Sequence, residues 1–585
     1  MKNFFKYFLA SFLAICAALL ILLLITLGSI SSMLSSKSPE AKIKPNTILV
    51  IDVSQAIADR RLDQQFDPVA LSSMDFKGTL GLYDILTGIR KAATDPNIDG
   101  ILLKSYLPMT GITNLAEIRK ELESFRESGK FIIAYSDLFT QSGYYLASVA
   151  DEVYMGHEGI FEFKGLSSQV LFFAKALDKL GINVQVIREG KYKSAVEPFL
   201  LESMSAENRE QIAAYVNTLW EEMAGDMAAS RNIKVEEINR LANGWIPRTP
   251  ELALAANLVD SLLYEDELEV LLKHKTALPD AEKLRTIGID QYRLVPPAVK
   301  EEYSADRIAI IYGLGSISMR ASGSQSIGAD LAQSFKRARN DDRIKAVVFR
   351  INSPGGDALA SDIIRREVEL TAKEKPVIVS MGEVAGSGGY WIAAPATRIV
   401  AGEMTLTGSI GAFGMVPDIS KLLNDKLGIM ADGYKTHEMG DAGSLLRPLT
   451  PAERRVYEDL LSTTYDNFVK MVAGARNMSP AEVDAVGQGR IWSGRDAVSR
   501  GLVDETGGIM TALDLAAQEA GITNYRIREL PVLKDPLQEI LNQVLGRNLS
   551  LTNTLASEIP VLGDIRELTR GGRIQARIPY RIEIQ

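Results

Sequence analysis

The sequence predicts an α/β protein built from two like domains in tandem, and three observations carry that expectation. Apolar runs of strand length alternate with amphipathic stretches, tight turns join them, and the whole pattern occurs twice. DPNIDGILLKSYLPMTG (95–111) aligns without gaps on DDRIKAVVFRINSPGGD (341–357), so that Asp95 meets Asp341, Ile98 meets Ile344 and Pro108 meets Pro354. The same offset of 246 carries FIIAYSDLFTQSGYYLAS (131–148) onto VIVSMGEVAGSGGYWIAA (377–394) and places Gly156 on Gly402. Upstream, ILVIDV (48–53) resembles IAIIYG (308–313) at an offset of 260, which implies an insertion in the first copy. Downstream, ANLVD (256–260) echoes RGLVD (500–504). So long a period means a duplicated domain and not a solenoid.

Taken in chain order, the first element is FLASFLAICAALLILLLITLGSI, residues 8–30, which carries no charge. At about 1.5 Å per residue a helix of this length spans a hydrocarbon core of roughly 30 Å. It is longer than the apolar core of a secretory signal and lacks a convincing small-x-small cleavage site, which favours an uncleaved anchor over a cleaved peptide. Lys2 and Lys6 favour a cytoplasmic N-terminus, although Lys37, Lys42 and Lys44 beyond the run blur the bias.

GILLKS and AVVFRIN then read as strands. NLAEIRKELESFRESG places Leu115, Ile118, Leu122 and Phe125 at helical spacing, with Gly129 as its stop, and the strand FIIAY follows at once. Strand, helix and strand with short links predict parallel pairing through right-handed crossovers. REQIAAYVNTLWEEMAGDMAASRN and LLSTTYDNFVKMVAGARN form long amphipathic helices at matching places in the two copies, and RIQARIPYRIEIQ (573–585) alternates as an edge strand would. The expected divisions are residues 1–45 for the N-terminus, anchor and linker, 46–295 for the first repeat, 296–307 (PPAVKEEYSADR) for the joint, and 308–585 for the second repeat.

Composition narrows the function. A 46% hydrophobic, 24% charged chain is that of a folded protein, and a net charge of −9 without a basic stripe argues against a nucleic-acid partner. Cys16, the only cysteine, lies inside the apolar run, so the rest of the chain has no disulfide, no thiolate nucleophile and no cysteine-based metal site.

Chemistry is concentrated where the copies disagree. GEVAGSGGYWIAA (382–394) sets Ser387 on a glycine turn after the apolar run PVIVS, as a nucleophile would be presented. Ser387 falls opposite Gln141 of the first copy, and Gly355-Gly356 fall opposite Met109-Thr110. An amide cannot replace a nucleophilic hydroxyl, and residues with side chains do not readily follow a Gly-Gly path. A serine nucleophile also needs a base within hydrogen-bond reach. The three histidines, His157, His274 and His437, stand in polar contexts, and a triad through His437 is one option. The other is a neutral lysine. Aligned on LGI, Lys193 of the first copy (LGINVQVIREGKYKSAVEPF) falls opposite Gly440 of the second, so each copy lacks what the other retains.

The set SPGG (353–356), GSGGYWIA (386–393), TGSIG (407–411) and YKSAVEPF (192–199) resembles the long, duplicated, membrane-anchored form of the signal peptide peptidase A (protease IV) family, serine peptidases of the Clp-protease/crotonase superfamily. The similarity runs through nearly all of the chain beyond the anchor. Single pieces such as SPGG recur across the superfamily, whereas the set in this order is specific. The resemblance implies two Clp-protease/crotonase-like domains and a Ser-Lys dyad split across the repeats, with Ser387 as nucleophile, Lys193 as general base and Ser409 orienting the lysine amine. Gly356 and Gly388 then supply the N–H groups of the oxyanion hole. It further implies no metal or cofactor, peptide substrates such as cleaved signal peptides, a homotetrameric ring, and a catalytic part on the periplasmic side of the inner membrane. A crotonase-like acyl-CoA enzyme and a catalytically inactive membrane scaffold are the alternatives to be distinguished.

Overall fold

The computed structural model describes residues 43–61, 79–298, 303–321 and 326–532, the backbone of 575–577, and a few isolated positions near the N-terminus. The expected anchor at 8–30 lies, but for such isolated positions, outside the described residues. Among the described residues no helix is long and apolar enough to cross a membrane.

In the first repeat, strands β1 (Thr47–Asp52), β2 (Ile98–Lys104), β3 (Phe131–Phe139) and β4 (Glu152–Phe161) are followed by β5 (Asn183–Glu189), β6 (Ser261–Leu262) and β7 (Thr286–Gly288). All but β5 form one parallel sheet in the order β6-β4-β3-β2-β1-β7. Its strands read as nearly continuous apolar runs because helices and loops cover both faces. Helices α1 (Ile112–Arg126) and α2 (Gln141–Ala147) make the crossovers, and α3 (Ala206–Arg231) packs outside them. Leu115, Ile118, Leu122 and Phe125 are all buried, as their spacing requires.

The second repeat rebuilds this plan with β8 (Arg307–Leu314), β9 (Ser316–Ser318), β10 (Ser326–Gly328), β11 (Ile344–Ser353), β12 (Gly355–Asp357), β13 (Val377–Gly386), β14 (Leu406–Gly408), β15 (Ala412–Asp418), β16 (Ile491–Ser493) and β17 (Arg526–Leu530). Its main sheet runs β16-β14-β13-β11-β8-β17, with only the β14–β16 pair antiparallel along that path. The duplication holds to the residue. Ile48 pairs with Gly100 as Ile308 pairs with Ala346, and α4 (Ala358–Ala372) lies 246 residues after α1. Helix α5 (Gly388–Ala393) follows Ser387, and α6 (Pro451–Arg476) has the 26-residue length of α3.

The contacts that join the repeats include a strand pairing and a buried arginine. Strand β5 leaves its own half and pairs antiparallel with β15, from Ala412↔Glu189 to Asp418↔Asn183, in a small sheet of order β10-β9-β12-β18-β15-β5, where β18 is Gln575–Arg577. In the main sheet, the fully buried Arg350 of β11 donates to Asp59 at 2.6 Å, Glu117 at 2.7 Å and Asn114 at 3.1 Å of the first repeat, and to Ser380 at 2.9 Å. Removing one partner from so buried a pair costs about 3–5 kcal/mol, since the other charge is left unpaired.

The expected edge strand within 573–585 is corrected by β18 (Gln575–Arg577), which is interior to the small sheet. It pairs antiparallel with β12 (Gly355↔Arg577, Gly356↔Ala576, Asp357↔Gln575) and with β15 (Phe413↔Gln575). An alternating pattern does not tell one open neighbour from two. Here two edges face each other, and a strand between them satisfies backbone groups on both. The remaining residues of 573–585 lie outside the described residues.

Candidate active site

Strand β13 runs straight into Ser387, where the backbone turns to φ 56°, ψ −114° before α5 begins. A non-glycine residue in such a conformation costs on the order of 1–3 kcal/mol and persists only when its surroundings impose it. Here the Ser387 N–H donates to the Gly408 carbonyl at 2.8 Å, and the turn holds the hydroxyl in a fully buried position.

Lys193 arrives from the first repeat. It follows β5 by four residues, and the pairing of β5 with β15 carries it across to the serine. Tyr192 N–H donates to the Gln488 carbonyl, and the backbone of Lys193 passes directly over Gly489. A Cβ on Gly489 would sit 2.6 Å from the Lys193 Cβ, and its φ of +76° itself favours glycine.

The Lys193 Nζ lies 2.8 Å from Ser387 Oγ, 2.9 Å from Ser409 Oγ and 3.1 Å from the Ser409 carbonyl. Burial alone drives the amine well below the usual lysine range, with no charged neighbour contributing. A neutral amine has two N–H donors and one lone pair. The Ser409 carbonyl can only accept and the Ser409 hydroxyl can accept, so both N–H bonds are used there and the lone pair is left for the Ser387 hydroxyl. This arrangement can deprotonate an alcohol. Ser409 is held in turn by its own N–H, which donates to the Arg490 carbonyl at 2.7 Å, and by a φ of +52°.

Gly356 lies in β12, which continues the chain from β11, the strand paired with the serine-bearing β13 through Ser353↔Ala385. Its φ is +155°, and a Cβ there would sit 2.0 Å from the Ile317 carbonyl oxygen. Gly388 is the first residue of α5, where an N–H has no partner within the helix. The sequence-singled histidines are elsewhere. His437 is on an exposed loop with its ring against Thr436, His157 lies against Tyr264, and His274 is in the helix Glu265–Lys275. Gly440, the counterpart of Lys193, belongs to the same exposed loop as His437.

In the first repeat the matching place is closed. The side-chain Oε1 of Gln141 accepts from the backbone N–H groups of Lys164 and Gly165 at 3.0 and 2.8 Å, so its amide fills the position with a structural bond. Sequence reasoning missed the Ser409 carbonyl and the whole stretch Gly487–Trp492 that supports Lys193. GQGRIW carries no reactive side chain, and its two glycines were the available signal.

Comparison with known proteins adds the chemical class. The profile of Peptidase family S49 matches twice, at residues 124–278 and 369–523, so that Lys193 falls in the first match and Ser387 and Ser409 in the second. The chain is 35% identical over 512 residues to "Protease 4" of Haemophilus influenzae, covering 85% of this chain and 82% of that protein. It is 34% identical to "Protease 4" of Salmonella typhi, covering 82% and 79% respectively. To "Serine protease SPPA, chloroplastic" of Arabidopsis thaliana it is 32% identical, covering 92% and 78%.

Proposed function

The chain belongs to peptidase family S49 and is a serine peptidase with two tandem domains of that family, and we propose that it hydrolyses peptide bonds through Ser387 and Lys193 as a dyad shared between the repeats. The observation that carries this is the 2.8 Å contact between a buried amine without a counter-charge and a hydroxyl on a strained turn. Neutral Lys193 takes the Ser387 proton as the oxygen attacks the scissile carbonyl. The oxyanion is held by the N–H groups of Gly356 and Gly388. Lys193, now an ammonium, returns the proton to the departing amine, leaving an ester on Ser387. Water gives a proton to the same amine, attacks the ester and releases the acid, and the proton returns to the serine oxygen. Ser409 holds the amine in line through its hydroxyl and its carbonyl.

Substrates bind extended alongside Gly355–Asp357, the position that the chain's own Gln575–Arg577 takes in the small sheet. We place among them the cleaved signal peptides and other apolar segments presented at a membrane, with residues 8–30 as a single anchor in the inner membrane and the catalytic part periplasmic. Four chains in a ring would keep so unselective a site away from folded proteins. Lys193→Arg tests the chemistry, because a guanidinium stays protonated and cannot act as a base at usable pH. It should abolish both hydrolysis of synthetic signal peptides, followed by mass spectrometry, and labelling by a fluorophosphonate. Near-normal turnover by Lys193→Ala would rule the dyad out.

A further inference from the structure

Gln211, on α3 of the first repeat, is only 1% exposed, yet it packs at the junction with the second repeat, where an apolar side chain would fill the space as well. Its Nε2 faces the Tyr192 carbonyl at 3.1 Å, Ser194 Oγ at 3.2 Å and Asn208 Oδ1 at 3.3 Å. Its Oε1 accepts from the Ile491 N–H of β16 at 3.1 Å. The amide cannot be turned over, because that would set its oxygen against a carbonyl and its NH2 against an N–H. Asn208 is itself fixed by Glu197 at 2.9 Å, so the orientation is imposed from behind as well. Tyr192 and Ser194 are the two neighbours of Lys193 in the chain. One buried amide thus grips the lysine loop on both sides and ties it to β16, whose own partner β14 lies next to the serine strand β13.

We propose that Gln211 is a positioning residue for the reaction: it sets where the Lys193 amine meets Ser387 and keeps water from it. The proposal rests on the dyad described above. The groups facing the Lys193 amine are the hydroxyls of Ser387 and Ser409 and the Ser409 carbonyl, none of them charged. On the packed neighbours, the nearby charges Arg490 and Glu210 are paired with each other at 2.7 Å. A loosened loop would admit water to the amine and move its titration back toward that of a free lysine.

The test uses the full chain with Gln211→Met, which keeps length and volume, and Gln211→Glu, which keeps the acceptor for Ile491 but cannot donate to Tyr192 and Ser194. The expected result is a fall in kcat of about 10- to 100-fold at neutral pH with little change in KM, as misplacement of a reacting group produces. In Gln211→Met, which adds no charge beside the amine, the rising limb of the pH–rate profile should move to higher pH, and amide exchange should quicken over 190–196 while β2 and β11 stay protected. A purely structural role would lower the active fraction without moving the pH midpoint. Wild-type kcat and midpoint in a folded Gln211→Met overturn the proposal. If that variant does not fold, the same result in Gln211→Glu does so. Should Lys193→Ala remain active, it is the dyad that fails; should Lys193→Ala be dead while both Gln211 variants keep the wild-type profile, only this inference fails.

Discussion

Replacing Lys193 by methionine should remove activity and at the same time alter how stability depends on pH. A lysine held neutral by burial binds fewer protons in the folded than in the unfolded chain at any pH between its depressed folded value and about 10.5. Stability therefore rises with pH across that window, by up to about 1.4 kcal/mol per pH unit for this one group, and is lost as pH falls through the folded value. The sign is opposite to that of a lysine gaining an acidic partner. The buried Glu383, pushed up to about 7 chiefly by desolvation, acts the other way below neutrality, so the comparison belongs above pH 7. Methionine has similar reach and no proton to bind. Urea unfolding of wild type and Lys193→Met at several pH values from 7 to 9.5 should give a smaller slope of stability against pH for the variant, with the difference approaching that figure. The variant should gain stability relative to wild type toward the low end of the range, a case of an active site held against its own stability. Equal slopes in the two proteins would refute the claim that Lys193 is neutral in the folded state.

Other outcomes follow from the same geometry. Ser409→Ala should slow peptide hydrolysis by about 10- to 100-fold and not abolish it, because the Ser409 carbonyl still holds the amine at 3.1 Å; steady-state kinetics of the variant decides. Gly356→Ala should be inactive toward peptides, since its Cβ would meet the Ile317 carbonyl at 2.0 Å and the backbone must move; wild-type kcat/KM would contradict the role given to β12. Ending the chain at residue 572 removes β18 from beside Gly356 and should lower KM for extended peptides, read from initial rates over a range of substrate concentrations.

Much of the fold could be read from the chain because parallel strands covered on both faces are largely apolar, and the second copy repeats the central runs at one offset of 246. Subtraction raised the two residues of the 2.8 Å contact as candidates, one missing from each repeat, and the family resemblance then chose Lys193 over His437. Whether they meet within one chain could not be read this way, since NVQVIRE announces a strand without naming its sheet, and β5 joins the other repeat. Backbone groups were equally silent. The Ser409 carbonyl is the same atom in any residue, and Gln211 reads as one polar position on a helix until Ile491, 280 residues later, is brought to it. The interior place of β18 depends on two edges supplied by distant segments.

The crossing of β5 into the sheet of the other half fixes an order of events during manufacture. A ribosome that has completed the first repeat holds a lysine with nowhere to dock, because β15 and the serine turn are still unmade, the hydroxyl coming 194 residues later. If the proposed dyad is right, either half synthesised alone lacks one of the two reacting groups, and a prematurely terminated message should yield a fragment without hydrolytic activity. On the dyad proposed above, joining the two repeats is then what brings the amine to the hydroxyl and arms the site.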